Sequence, residues 1–303
     1  MRAQASVRVP GSTSNLGAGF DCIGVAVERW LRVTARAGAA APLAIDRRGT
    51  LRALDAPPDA DLVYRGFAAA CRRAGREVPA GLALGADSDI PVARGLGSSA
   101  AATVAGAAAA TALLGLELDR DALAVLCTEL EGHPDNVAAA VYGGANLVLP
   151  ASHGLLVTPL VVHASLAFVF AVPAFTVETK RARAVLPASV THAQAAQAAA
   201  KAAALVHGLA HADPRLLAAG LDDVLHVPFR RSLVPGYDAV TAAACAAGAF
   251  GATLSGSGPT LLAVAPLGGA AAVGDAMVRA WRACDIAAES FYGARPAGGL
   301  EMD

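Results

Sequence analysis

Between residues 62 and 73 apolar side chains recur at Leu62, Val63, Phe67, Ala70 and Cys71, and the pattern stops near Gly75. That three-and-four spacing predicts a helix with one buried face. A second helix is predicted from about Ser98 to Leu114, through a run of alanines closed by Gly115. Asp119 opens a third that reaches about Leu130, and Asp135 a shorter one ending at Tyr142 before Gly143-Gly144. Dense or β-branched apolar runs predict strands at 6–9, 20–33, 81–86, 146–149, 155–163 and 166–172. Pro10 is expected to end the first strand, residues 10–19 to form a Gly/Ser/Thr/Asn loop, and residues 38–60 to be surface loops or an irregular hairpin. Beyond residue 150 helices are expected at about 178–186, 189–209, 214–221, 235–247 and 269–283. A strand–loop–strand unit at 249–265 and a last strand at 287–292 complete the pattern. Strands and helices mix without a clean βαβ rhythm or a repeat of fixed period, which predicts an α+β chain. The boundary is placed near residues 150–156, dividing the chain into 1–153 and 154–303 with the two halves closely packed.

Composition narrows the class. The 303 residues suffice for two domains, each with its own core. Twenty-four Lys and Arg against 25 Asp and Glu leave a net charge of −1, so no basic footprint for nucleic acid exists. The five cysteines are scattered and form no C-x-x-C pair, which suits reduced thiols in a cytoplasmic protein. Charges at Arg2 and Arg8 interrupt any apolar leader at the start. Hydrophobic residues make up 55% of the chain, and residues 155–172 carry no charge. Pro159, His163 and Ser165 interrupt that stretch, so it reads as two buried strands rather than a membrane span.

The chemistry concentrates in Pro91-Val92-Ala93-Arg94-Gly95-Leu96-Gly97-Ser98-Ser99-Ala100-Ala101. A glycine- and serine-rich loop at the start of a helix offers unpaired N–H groups and the positive end of the macrodipole, which together attract a phosphate. The Lys of a Walker A loop is missing. Gly95-x-Gly97-x-x-Ala100 also fits a dinucleotide fingerprint, yet that pattern should follow a buried strand, and here Asp87, Asp89 and Pro91 precede it. An ordinary helix start capped by Ser98 accounts for the loop equally well taken alone. Two further Gly-rich segments, 10–21 and 254–260, read singly as tight turns. Residues 129–137, Glu-Leu-Glu-Gly-His-Pro-Asp-Asn-Val, crowd four ionisable groups and an amide at a helix junction, where Asp135 alone would be a helix cap. His207 and His211 have the i, i+4 spacing of a zinc pair but lack a third ligand, and they read as exposed helix histidines.

Taken together and in this order, these segments resemble the GHMP small-molecule kinases, and within them the homoserine-kinase branch. The similarity lies in Pro91–x3–Gly95-Leu96-Gly97-Ser98-Ser99-Ala100-Ala101, in Thr13-Ser14-Asn15-Leu16-Gly17-Ala18-Gly19-Phe20-Asp21, and in Glu131-Gly132-His133-Pro134-Asp135-Asn136-Val137. It extends to Thr179-Lys180-Arg181-Ala182-Arg183 and Ser255-Gly256-Ser257-Gly258-Pro259. The resemblance implies a ribosomal-protein-S5-like N-terminal domain, a ferredoxin-like C-terminal domain, and phosphorylation of an amino-acid alcohol, L-homoserine, by ATP with Mg²⁺. It implies a phosphate loop at Pro91 to Ala101 and assigns the metal to Ser98 and Glu129, with Glu131 expected to face elsewhere on its helix. It places the ammonium at Asn15 and Asp21, the carboxylate at Arg183 and Arg230, and Thr179 in the substrate pocket. Asp135, Asn136 and neighbouring His133 would orient the attacking hydroxyl, so the catalytic set is Asp135, Asn136 and Arg183. On the residues alone, Arg183 reads as a solvated charge. Asp61 stands where the family more often has Asn near the adenine. A homodimer is the family expectation. Another GHMP kinase acting on mevalonate or shikimate, and a silent nucleotide-binding regulator, stay open as alternatives.

Overall fold

The computed structural model describes residues 2–303. Its first part runs β1 (Gln4–Asn15), β2 (Gly19–Arg36), β3 (Leu43–Gly49), α1 (Leu62–Arg73), β4 (Leu82–Ser88), α2 (Ser98–Leu114), α3 (Arg120–Glu131), α4 (Asp135–Tyr142), β5 (Ala145–Ala151) and β6 (Gly154–Pro159). The second runs β7 (Leu166–Pro173), α5 (Thr179–Ala184), α6 (His192–His211), α7 (Pro214–Leu221), α8 (Val227–Arg230), α9 (Tyr237–Ala246), β8 (Gly251–Leu254), β9 (Leu261–Pro266), α10 (Ala270–Ala283), β10 (Ala288–Gly293) and β11 (Glu301–Met302).

The first sheet has the order β11-β1-β2-β4-β3, with β5 on β2 and β6 on β5. The second, β10-β7-β9-β8, is antiparallel throughout. Counted along the chain, its strands stand in the order 4-1-3-2, with helices in both crossovers, which is the ferredoxin-like arrangement the resemblance implies. β6 pairs with β5 down to Ala151↔Gly154, and β11 returns to β1. A cut between 153 and 154 therefore splits a hairpin, and the second half resumes only after Pro159.

α2 is the axis of the first half. Fourteen of its seventeen residues are buried, so it is apolar all round rather than amphipathic, and its alanines let neighbours approach closely. At Gly106 an added Cβ would lie 1.9 Å from the Val63 carbonyl oxygen, so α1 and α2 cross in backbone contact and only glycine fits there. One core cluster runs from the first sheet and α2 into Phe168, Phe170, Leu205 and Leu262 of the second half. A separate cluster around Trp281 and Met277 fills the outer face of the second sheet.

Two local expectations are corrected. Residues 10–15 continue β1 through a bulge between Pro10 and Gly11 instead of forming a loop. Their polar side chains are buried yet partnered: Ser12 Oγ donates to Asn136 Oδ1 at 2.9 Å, Asn136 Nδ2 to Ser14 Oγ at 2.9 Å, and the hydroxyls of Thr13 and Ser255 share a hydrogen bond at 2.8 Å. Residues 43–49 form β3, parallel to β4, rather than an irregular hairpin. Its pairing with distant residues left only the short alternation of Leu43 and Ile45 as a sequence signal. The charge-free stretch 155–172 divides between β6 and β7, and no helix among the described residues is long and apolar enough to cross a membrane. All five cysteines are free.

Candidate active site

A cleft of about 420 Å³ runs between the halves, with the 92–99 loop as its floor. Gly95 (φ +75°) and Gly97 (φ +69°) carry that loop into α2 through left-handed backbone. Gly97 occupies the helix N-cap and supplies no side-chain acceptor, so the first-turn N–H groups stay free for an anion. At Gly95 an added Cβ would lie 2.2 Å from the Ser255 carbonyl oxygen, and Ser255 Oγ donates to the Gly95 carbonyl at 2.6 Å. The loop is thus pressed against the Gly/Ser turn of the second half. Arg94 lines the cleft, with its guanidinium turned to the end of β7. Its Nε donates to the Pro173 carbonyl at 2.9 Å and its Nη2 to that of Ala174 at 2.5 Å, which ties the loop to the end of β7. Burial pulls its pKa down. Pro91, Ala100 and Ala101 do not line the cleft, and the Ala101 N–H is spent on the Gly97 carbonyl at 2.9 Å.

The two glutamates near the expected metal site point in different directions. Glu129 points outward and pairs with Arg73 at 2.5 Å. Glu131, two residues on, turns back over the start of α2: its Oε2 accepts from Ser99 Oγ at 2.8 Å and its Oε1 from Thr103 Oγ1 at 2.7 Å. Residues two apart on a helix lie about 200° apart, so only one of these carboxylates can face α2. The packing of α3 on α2 selects Glu131. Ser98 lines the cleft, and its hydroxyl is without a protein partner among the described residues.

At the other end of the cleft several charged groups converge. Asp21 and Arg183 form a two-pronged pair at 2.9 and 3.2 Å. Asp135, 1% exposed, is crowded on Oδ1, which accepts from His133 Nδ1 at 2.8 Å and from the Asn136 N–H at 2.7 Å. A carboxylate accepts, so His133 carries its proton on Nδ1. Burial disfavours charge on His133, but the hydrogen bond and charge of Asp135 outweigh it and raise its pKa above the ordinary histidine value. Two expected contact residues line the cleft and also brace its walls. Asn136 spends both amide atoms on β1. Asn15, at φ +71°, donates to the Gly256 carbonyl at 3.0 Å and accepts from the Asp21 N–H at 2.9 Å. Thr179 Oγ1 lies 3.3 Å from Ser257 Oγ at the rim.

Arg230 is 2% exposed, and burial together with nearby Arg183 lowers its pKa to about 10, so this end of the cleft favours an anion. Behind it stand Asp223 and His226, which the sequence analysis did not single out. Their spacing to Arg230, seven and four residues, was the available signal. The opposite wall is apolar, built from Leu51, Leu54, Leu62 and Val63. Asp61 lies there too, but it caps α1 through the Val63 N–H and holds Arg47 Nε at 2.8 Å. Arg47 in turn grips the Ala56 carbonyl at 2.9 Å, which fixes the 54–57 loop over the slot.

Residues 61–144 match the GHMP kinases N terminal domain, and residues 205–283 match the GHMP kinases C terminal family. The cleft, the loop and these matches define a GHMP kinase. Within that class, the chain is 42% identical over 287 residues to a homoserine kinase of Picosynechococcus sp., covering 93% of each chain. It is 43% identical over 282 residues to one of Synechococcus sp., covering 92% of each. The crystal structure of homoserine kinase from Cytophaga hutchinsonii superposes with a TM-score of 0.88 at 31% identity, covering 100% of this chain and 98% of that one. The L. major mevalonate kinase, solved in complex with R-mevalonate, shares the fold at 16% identity and a TM-score of 0.68, covering 99% of this chain and 97% of that one. The chain belongs to the homoserine kinase family.

Proposed function

We propose that this kinase transfers the γ-phosphoryl group of ATP to the side-chain hydroxyl of L-homoserine, yielding O-phospho-L-homoserine for threonine biosynthesis. The observation that carries this reading is a single cleft with an anion-binding helix start in the middle and a zwitterion-matched end. There the ammonium and carboxylate of a zwitterion can exchange into the Asp21–Arg183 pair, the ammonium against Asp21 and the carboxylate against Arg183 and Arg230. A guanidinium pair recognises a planar carboxylate better than lysines would. The apolar slot under Leu51 and Leu54 suits the adenine.

Phosphoryl transfer asks chiefly for positioning and charge neutralisation. The N–H groups from Gly95 to Ser99 hold the β- and γ-phosphates at the start of α2. Ser98 and Glu131 offer the oxygen-only donor set, with one carboxylate, that Mg²⁺ takes alongside phosphate oxygens and water. The ion would screen the phosphates against the incoming hydroxyl. Asp135 has its Oδ2 free of protein partners, so it can accept the substrate hydroxyl and turn its lone pair toward the γ-phosphorus. His133 and Asn136 fix the angle of that carboxylate. The five free cysteines support a reducing, cytoplasmic setting.

The test is ADP release across a panel of homoserine, threonine, serine, mevalonate and shikimate, with and without Mg²⁺. Strong turnover with homoserine that requires Mg²⁺ is expected. Turnover confined to mevalonate or shikimate would overturn the acceptor, and silence across the panel with ATP still bound would favour a regulator.

A further inference from the structure

Asp223, His226 and Arg230 form a column, 5%, 0% and 2% exposed, that runs from behind the cleft into it. Asp223 is spent on backbone: its Oδ2 accepts the N–H groups of His226 and Val227, at 2.6 and 2.7 Å, and so pins the start of α8. At 3.7 Å, that oxygen is beyond hydrogen-bond reach of His226 Nε2. Nε2 instead meets the Gly17 carbonyl at 3.1 Å. A carbonyl only accepts, so the ring proton is on Nε2, and Nδ1 keeps its lone pair. Arg230 Nη1 lies 3.3 Å from Nδ1 and 3.4 Å from the Gly256 carbonyl, while Nε donates to the Ala182 carbonyl at 3.0 Å. The remaining nitrogen, Nη2, has no protein partner among the described residues, and Arg230 lines the cleft. The imidazole also stacks on Phe20, ring centroids 5.0 Å apart, and Phe20 lies under the guanidinium at 5.2 Å.

We propose that His226 is the positioning residue for the acceptor's carboxylate. As the Nε2–H tautomer, it is anchored on Gly17 and accepts Nη1 of Arg230, leaving Nη2 aimed into the cleft. The inference rests on the proposed reading that Arg230 binds the carboxylate of homoserine. One ring thereby links the 16–18 turn, which leads into β2 and Asp21, to the guanidinium, so the cation and anion subsites of a zwitterion keep a fixed separation. Burial holds this imidazole neutral, as the tautomer requires.

Glutamine and asparagine separate the two links, because Gln can present an amide donor near the Nε2 position and Asn an oxygen near Nδ1. His226→Gln keeps the Gly17 anchor and loses the acceptor for Arg230. Its KM for homoserine is expected to rise about tenfold, the worth of one charge-assisted hydrogen bond, with KM for ATP unchanged. His226→Asn keeps the acceptor and is expected to show a clearly smaller rise. Equal rises in the two variants, or KM for ATP rising in step, would overturn the inference. So would a ring protonated on Nδ1, read by nitrogen NMR of the wild-type enzyme, which needs no variant to fold. Wild-type failure on homoserine would instead sink the functional reading, so the two failures are distinguishable.

Discussion

Two glutamates in one turn of α3 show how much a single side chain's direction decides. Glu131 reaches the hydroxyls of Ser99 and Thr103 at the start of α2, whereas Glu129 reaches Arg73 near the protein surface. Glu131→Gln is expected to lower kcat on the order of 100-fold and to raise the Mg²⁺ concentration needed for half-maximal rate, because on the proposed reading it removes the metal's carboxylate at the start of α2. Glu129→Gln loses an exposed pair worth at most about 1 kcal/mol and should leave kcat within about twofold. Magnesium titrations of both variants, followed by ADP release, check the pair. A collapse of activity in Glu129→Gln with Glu131→Gln intact would restore the assignment the sequence suggested. The motif was legible in the sequence; which of its carboxylates faces α2 was not, because that depends on the roll of α3 against α2.

At the scale of elements, the phosphate loop works as one unit with the Gly/Ser turn after β8. The 2.6 Å bond from Ser255 Oγ to the Gly95 carbonyl, the Thr13–Ser255 bond and the close approach at Gly95 lock β1, the loop and that turn together. Gly95→Ala must strain a left-handed residue and push the Ser255 carbonyl, a cost of about 1–3 kcal/mol. In a chain of this size it should lower Tm by several degrees and raise KM for ATP more than KM for homoserine. Unchanged Tm and KM would mean that the turn is not coupled to the loop. The sequence presented these Gly-rich segments as separate turns, and nothing local shows that residues 13, 95 and 255 meet. The same limit explains β1. Its polar tail, 12–15, reads as a loop until Asn136 and Ser255 arrive to satisfy it.

The whole molecule balances two histidines of opposite sign. Burial lowers His226 to about 4, with Asp223 opposing and Arg230 adding to the shift, and Asp21 also facing it. The unfolded chain binds that proton near 6.5, so stability rises with pH between about 4 and 6.5 and is lost on acidification. His133 runs the other way. Its folded pKa is raised beside Asp135, with Glu131 adding and Arg183 opposing, so its contribution is complete below about 6.5 and disappears as pH rises through the folded value. Urea unfolding as a function of pH should show an acid limb that His226→Gln flattens and an alkaline limb that His133→Asn flattens. An acid limb untouched by His226→Gln would contradict a neutral buried ring.

Local pattern alone determined the helices from α1 to α4, the alanine-rich spine of α2, the split of residues 155–172 into two strands, and the anion-binding start of α2. Each depends on spacing, capping residues and turn chemistry within a few positions of the chain. Tertiary structure decided the rest. It placed β3 parallel to β4, carried β6 and β11 into the first sheet, gave the Arg94, Asn136 and Asn15 side chains bracing partners, and put Glu131 rather than Glu129 against the hydroxyls at the start of α2. These outcomes are set by which distant surfaces pack and which buried polar atoms find partners. The glycine loop could therefore be found in the sequence, whereas the carboxylate that packs against the start of α2, and the histidine behind Arg230, needed the fold.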